Sequence, residues 1–228
     1  MDTLLAEDLI LLLLDDETGK QRAKTFSDAL LGGALLAELA ATGQLELHKS
    51  TSRWQSGDTV APAPNARPAD PILQGALAII ANKPQPAGSL VGPIGKGVSD
   101  SLLARLAERG ILHRQDDKVL GLFSRTRWPA NDSRHEVQVR QDISRALVGG
   151  EVPQPRTAAL IALLHSANEL SVLDNGGMSA KEVKARAGQI AEGDWAGGAV
   201  GKAVQDVTNA IMVGIVTSTI ITTTTTST

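Results

Sequence analysis

Apolar and polar positions divide the chain into short helical stretches punctuated by Gly and Pro. It opens on "LAEDLILLLLDDETG" (5–19), where six consecutive aliphatics, Leu9 to Leu14, stand between two acidic clusters. A membrane-crossing helix needs about 20 mostly apolar residues, so this run is far too short. A secretory signal needs a basic leading segment, yet Asp2, Glu7 and Asp8 come first and Lys20 is the first basic residue. The run therefore predicts an element buried on all sides, closed by the turn Asp15-Asp16-Glu17-Thr18-Gly19.

Next, Phe26, Leu30, Gly33, Leu36 and Ala37 recur at helical spacing, with Ser27 or Asp28 as the cap and Gly43 as the stop. "QLELH" alternates as a short strand, and residues 50–70, with three Pro and many small polar residues, predict a long surface loop. "PILQGALAIIANK" (71–83) predicts a helix of about three turns. "PQPAGSLVGPIGKG" (84–97) reads as a Pro/Gly loop, and "VSDSLLARLAERG" as a helix closed by Gly110. A hairpin is expected from Ile111-Leu112 and Val119–Phe123 around the polar tip "HRQDDK". Helices are expected over 132–148, 156–173, 179–192 and 199–221, the last with Val200, Val204, Val207, Ile211 and Ile215 on one face. The Thr-rich end, 222–228, is low in complexity. "LLAELAATGQL" (35–45) and "LLARLAERGIL" (102–112) echo one another. The echo fits a structural repeat or, more simply, a common way for a helix to feed a strand.

Length and composition suit a globular chain of one large domain or two small ones, long enough to bury a real core. Of 228 residues 42% are hydrophobic but only 2% aromatic, so the core must be aliphatic, which suits packed helices. The absence of Cys removes disulfides and cysteine catalysis. A net charge of -3 gives no global attraction to nucleic acid or anionic lipid, so any anion binding must be local.

Candidate chemistry is sparse. "GPIGKG" (92–97) invites comparison with a nucleotide-binding loop, but Gly97 stands where Ser or Thr is needed after Lys96. By spacing alone an ordinary flexible loop is the commoner reading. One physical feature survives: a Gly-rich loop with a lysine leading into a helix that begins near Val98, whose free N–H groups and dipole favour anions. Asp15-Asp16-Glu17 lacks the alternating ligands of a calcium loop. His48, His113, His135 and His165 show no metal-ligand pairing, and His165, within "ALIALLHSANEL", reads as a hydrogen-bonded core histidine. Nothing argues for catalysis, a metal or a cofactor. "SRTRWPANDSRH" (124–135) groups Arg125, Arg127, Trp128 and Arg134. That cluster suits a membrane interface and, equally, a surface loop with one packed indole.

Five segments, "LAEDLILLLLDDETGK", "LLGGALLAELAATGQLEL", "SLLARLAERGIL", "VLGLF" and "RTAALIALLHSANEL", follow one another as in the Golgi phosphoprotein 3 family. The resemblance covers roughly residues 3–216, within a domain taken as 1–221, and this short-looped, Ala-rich version resembles the bacterial branch. It implies a mainly α fold, a single globular helical domain with an antiparallel β-hairpin, and a non-enzymatic, cytoplasmic protein that binds phosphatidylinositol 4-phosphate, or another anionic lipid phosphate, peripherally on a membrane. In eukaryotic members this couples Golgi membranes to glycosyltransferase retention, so membrane-protein tails join the expected partners, as does a second copy through the hairpin.

Carried over by position, the family's lipid-contacting tryptophan falls on Ala23 or Lys24 and its following arginine on Gly32. Of two later basic residues, the first matches Lys96 and the second falls on Ser99. One of four is kept, with Arg22 and Lys24 offering substitute charge nearby. The family's bilayer-entering hairpin tip aligns with Val119 and Leu120. A winged-helix reading competes, but "SDSLLARLAERG" offers only Arg105 and Arg109 beside Asp100 and Glu108 in an acidic chain. A lipid-binding adaptor ranks first, a protein-only interaction module second and nucleic-acid binding third.

Overall fold

The computed structural model describes residues 3–15, 17–20, 28–48, 59–82, 84–119, 123–193, 208–209 and 211. The opening run is helix α1 (Leu5–Leu13), and all nine of its residues are buried, Glu7 and Asp8 included. Glu7 accepts from the Leu4 N–H at 2.7 Å, which caps the helix start, and the chain turns extended at Leu14. Helix α1 packs against α2 (Asp28–Ala41), α5 (Val98–Glu108), α6 (Arg134–Leu147) and α7 (Pro155–Ser166), so apolar side chains on every side of Leu9–Leu13 are what its position requires. Leu9, Ile10, Leu12 and Leu13 are fully enclosed, each contributing about 1.5–3 kcal/mol.

Between α2 and α5 the chain forms an antiparallel sheet of β1 (Leu45–His48), β2 (Thr59–Pro62) and β3 (Gln85–Pro86), with helices α3 (Pro71–Asn82) and α4 (Ala87–Gly95). Leu47 pairs with Val60, and Val60 with Gln85. Strand β2 falls within the stretch expected to be loop. Its local signal is only Thr59-Val60, and its two partner strands make it a strand.

Helix α4 corrects a second expectation, since 84–97 reads as a Pro/Gly loop. Buried Ala87, Leu90, Val91 and Ile94 recur at helical spacing and outweigh the low propensity of Gly88, Gly92 and Pro93. The small residues also let α4 cross α2 at backbone contact. A methyl group on Gly32 would lie 1.9 Å from the Val91 carbonyl oxygen, and one on Gly95 would lie 1.7 Å from that of Asp28.

The hairpin exists but is displaced along the sequence. Its strands are β4 (Gln115–Val119) and β5 (Phe123–Arg127), so most of "HRQDDK" is strand, and residues 120–122 between the strands lie outside the described residues. Ile111-Leu112 is no strand; Leu112 makes an isolated bridge to Ala130. Exposed Gln115, Asp116 and Thr126 show why polar residues suit this two-stranded ribbon. The Asp116 carboxylate accepts from the Thr126 hydroxyl across the ladder at 2.7 Å.

The echo at 35–45 and 102–112 has a local cause. Gly43 (φ 67) and Gly110 (φ 70) are left-handed, and the next N–H groups, Gln44 and Ile111, close back on Leu39 and Leu106. Asn168 (φ 58), with Glu169 N–H on the Leu164 carbonyl, ends α7 in the same way. Helix α7 therefore stops at Ser166, short of the expected 173, and a 3-10 turn, Leu170–Val172, follows. Helix α8 (Ala180–Glu192) matches its sequence signal, with Ser179 and Glu182 capping each other. Of the expected helix 199–221 only 208, 209 and 211 are described, with Thr208 and Ile211 buried.

Candidate functional site

The α4–α5 junction is where sequence places Lys96 beside a helix start. Helix α4 ends at Gly95, Lys96 is exposed, and Gly97 turns left-handed (φ 71, ψ 8) to start α5 at Val98. No side chain caps α5, and nothing lies within 4 Å of a methyl built on Gly97, so the backbone there is open to an approaching group. Ser99 is half-buried in the first turn, and exposed Asp100 beside it opposes an anion. Gly32 lies in the α2–α4 crossing against Gly95, one residue from Lys96. Three of the expected positions, Gly32, Lys96 and Ser99, thus lie near one place, but only Lys96 brings charge and only Ser99 a hydroxyl. Lys24, with Arg22 and Ala23, lies outside the described residues.

The hairpin supplies the other expected contacts. Val119 pairs with Phe123 in the last rung of the ladder, Arg125 pairs with Asp117, and Leu120 falls outside the described residues. At the base, Arg127 pairs with Gln115 and is half-buried. The half-buried Trp128 packs against the core, and the Arg114 guanidinium lies 5.8 Å from its ring centroid. Arg134 is committed to Asp132 at 2.6 Å, and those hydrogen bonds hold the Asp132 carboxyl down to about 2. The Trp128 N–H donates to the Gly19 carbonyl at 3.1 Å, while a methyl on Gly19 would lie 2.2 Å from the Pro129 nitrogen. The Asp15–Gly19 turn, stapled by Thr18 onto the Asp15 carboxylate at 2.8 Å, is thereby fixed to the hairpin base. Residues 21–27 join this point to Asp28, which touches the crossing beside Lys96.

A family model described as Golgi phosphoprotein 3 matches residues 5–207. The chain belongs to that family. No curated protein matches it. Within this Golgi phosphoprotein 3 family chain, no helix among the described residues is long and apolar enough to cross a membrane. Nor, among those residues, does any group of three or more His, Cys, Asp or Glu have the arrangement to hold a metal ion.

Sequence reasoning missed an ionic network around the start of α1. Glu7 takes Arg105 at 2.9 Å and Arg109 at 3.3 Å, while Asp8 takes Arg156 at 2.8 Å and the His135 Nε2 at 2.7 Å. Arg156 also reaches Glu38 at 3.1 Å, and Arg105 reaches Asp70 at 2.5 Å. The Glu7 and Asp8 side chains have no exposure at all. Burial works against the charge on Arg156, but Asp8 and Glu38 outweigh it and its pKa rises. The Asp8 hydrogen bond likewise raises His135. The available signal was an acidic pair inside an apolar run, which sequence reading treats as a flank. His165 departs from expectation too: its Nδ1 is buried without a hydrogen-bond partner among the described residues, and burial lowers its pKa.

Proposed function

We propose that this chain is a non-enzymatic peripheral membrane adaptor that reads phosphatidylinositol 4-phosphate, or a similar anionic lipid phosphate, on a cytoplasmic membrane face. The observation that supports the reading is the exposed Lys96 at an open, left-handed glycine leading into α5. A phosphate monoester carries close to two negative charges at neutral pH and several acceptor oxygens, so it gains from both the ammonium and the first-turn N–H groups of Val98 and Ser99, which no side-chain cap engages. The Ser99 hydroxyl adds a donor, and Lys24 is the substitute charge that the sequence offers. Gly32 contributes no side chain, so the headgroup is held by fewer charges than the family pattern provides.

In this reading the hairpin end, Val119 and Leu120, enters the bilayer, with Arg125, Arg127 and Trp128 at headgroup level. The bound protein then presents its surface to membrane-protein tails or, through the hairpin, to a second copy. With one retained basic position, binding is weak and fades as added salt shortens the screening length to about 10 Å at 0.1 M.

Sedimentation with liposomes containing phosphatidylinositol 4-phosphate, at low salt, tests the reading. Wild type binds them above neutral liposomes, Lys96→Glu loses that excess, and Val119→Ser with Leu120→Ser weakens binding while leaving the melting temperature nearly unchanged. Wild-type binding equal to that of neutral liposomes would remove the lipid role and leave the protein-only module.

A further inference from the structure

A second candidate site lies at the opposite end of α2 from Gly32. Thr42 is ten residues on, so the two places are separated by about 15 Å of helix. A cleft of about 450 Å³ opens there, lined among others by Glu38, Thr42, Arg67, Ala69, Asp70 and Leu73, a size common for small-molecule sites. Its carboxylates are engaged. Glu38 accepts from the Leu5 N–H at 2.6 Å and from Arg156, while Asp70 caps α3 through the Ile72 N–H at 2.8 Å and holds Arg105.

Arg67 differs: its guanidinium forms no ion pair among the described residues, although its backbone is pinned. The Arg67 N–H donates to the Gln44 side chain at 2.6 Å, and the Gln74 side chain donates to the neighbouring Pro68 carbonyl at 3.0 Å. A fixed loop therefore presents an uncommitted cation to a concave surface whose negative groups are already used.

The wider electrostatics agree. Glu7, Asp8, Glu38 and Asp70 are balanced in number by Arg67, Arg105, Arg109 and Arg156. Leu4, Pro68 and Leu73 give the cleft an apolar floor.

We propose that this cleft binds a small organic anion, its carboxylate or phosphate head on the Arg67 guanidinium and its apolar body over Leu4, Pro68 and Leu73. A guanidinium grips either head through two parallel hydrogen bonds. The site is independent of the Lys96 junction.

Hexanoate and hexyl phosphate, with hexanol as the uncharged control, serve as probes in an amide chemical-shift titration of the full chain. At least one anion should saturate below about 10 mM, moving the amides of Thr42, Arg67 and Leu73, and the tighter of the two identifies the head group. Hexanol should bind at least tenfold more weakly. Arg67→Gln should lose at least tenfold in affinity with an unchanged melting temperature, and Ala69→Trp should block the cleft. Lys96→Glu should leave the titration untouched, so failure of the lipid reading and failure of this one are separable. No saturable shift from either anion, or equal binding by Arg67→Gln, would overturn the proposal.

Discussion

Gly32→Ala tests whether the α2–α4 crossing is as tight as its geometry implies. In an open helix the change would stabilise by about 1 kcal/mol, because Ala is the better helix former. Here the new methyl lies 1.9 Å from the Val91 carbonyl oxygen, 2.8 Å from its carbon and 2.9 Å from the Gly95 nitrogen. Ordinary contact begins near 3.4 Å, so the helices must part by about 1.5 Å, and the obstacle is backbone that cannot rotate away. Overpacking of this kind costs about 1–3 kcal/mol, and the many neighbours buried along α2 place it at the upper end. Net of helix propensity, a loss of about 2 kcal/mol follows, or a fall of about 4–8 °C in melting temperature for a chain this long. Urea denaturation followed by far-ultraviolet circular dichroism measures it. Gly75 is the internal control: it sits within α3 with nothing within 4 Å of an added methyl, so Gly75→Ala should gain about 0.5–1 kcal/mol. A Gly32→Ala protein as stable as wild type would refute the close crossing.

Leu12→Asp places a carboxylate where Leu12 has 0% exposure, adding several kcal/mol of burial cost to about 2–5 kcal/mol of lost packing. Against a total stability of about 5–15 kcal/mol, no cooperative thermal transition should remain, and a normal one would refute the core position of α1. For His135, Asp8 raises the folded pKa above the ordinary 6.5, so its stabilisation is full below that value and disappears as pH rises through the folded pKa. His135→Gln should flatten that slope in urea midpoints taken across neutral pH; an unchanged slope would assign it elsewhere. His165 acts with the opposite sign, since burial lowers its pKa and stability is lost as pH falls from 6.5.

Local sequence determined those features whose causes are local. The run Leu9–Leu14 has no polar face to expose, so it could only become core. Gly43 and Gly110 end helices because they adopt left-handed backbone at little cost, and Ser179 with Glu182 starts one because their side chains answer unpaired N–H groups. Lys96 beside the start of α5 was legible for the same reason, since a helix end and its charge are both readable within a few residues.

Tertiary structure decided whatever depends on a partner distant in sequence. Helix α4 keeps Pro93 and three glycines because α2 packs on its apolar stripe, a gain invisible to local propensity. Strand β2 exists because β1 and β3 flank it, and the hairpin register follows pairing across the ladder rather than apolar content. Glu7 and Asp8 look like solvated flanks until Arg105, Arg109, His135 and Arg156, roughly a hundred or more positions away, are folded around them. Arg67 likewise becomes distinctive only when the cleft shows its neighbouring carboxylates already engaged. Burying a charge is favourable only where opposite charge and hydrogen bonds converge, and that convergence is a property of three-dimensional packing.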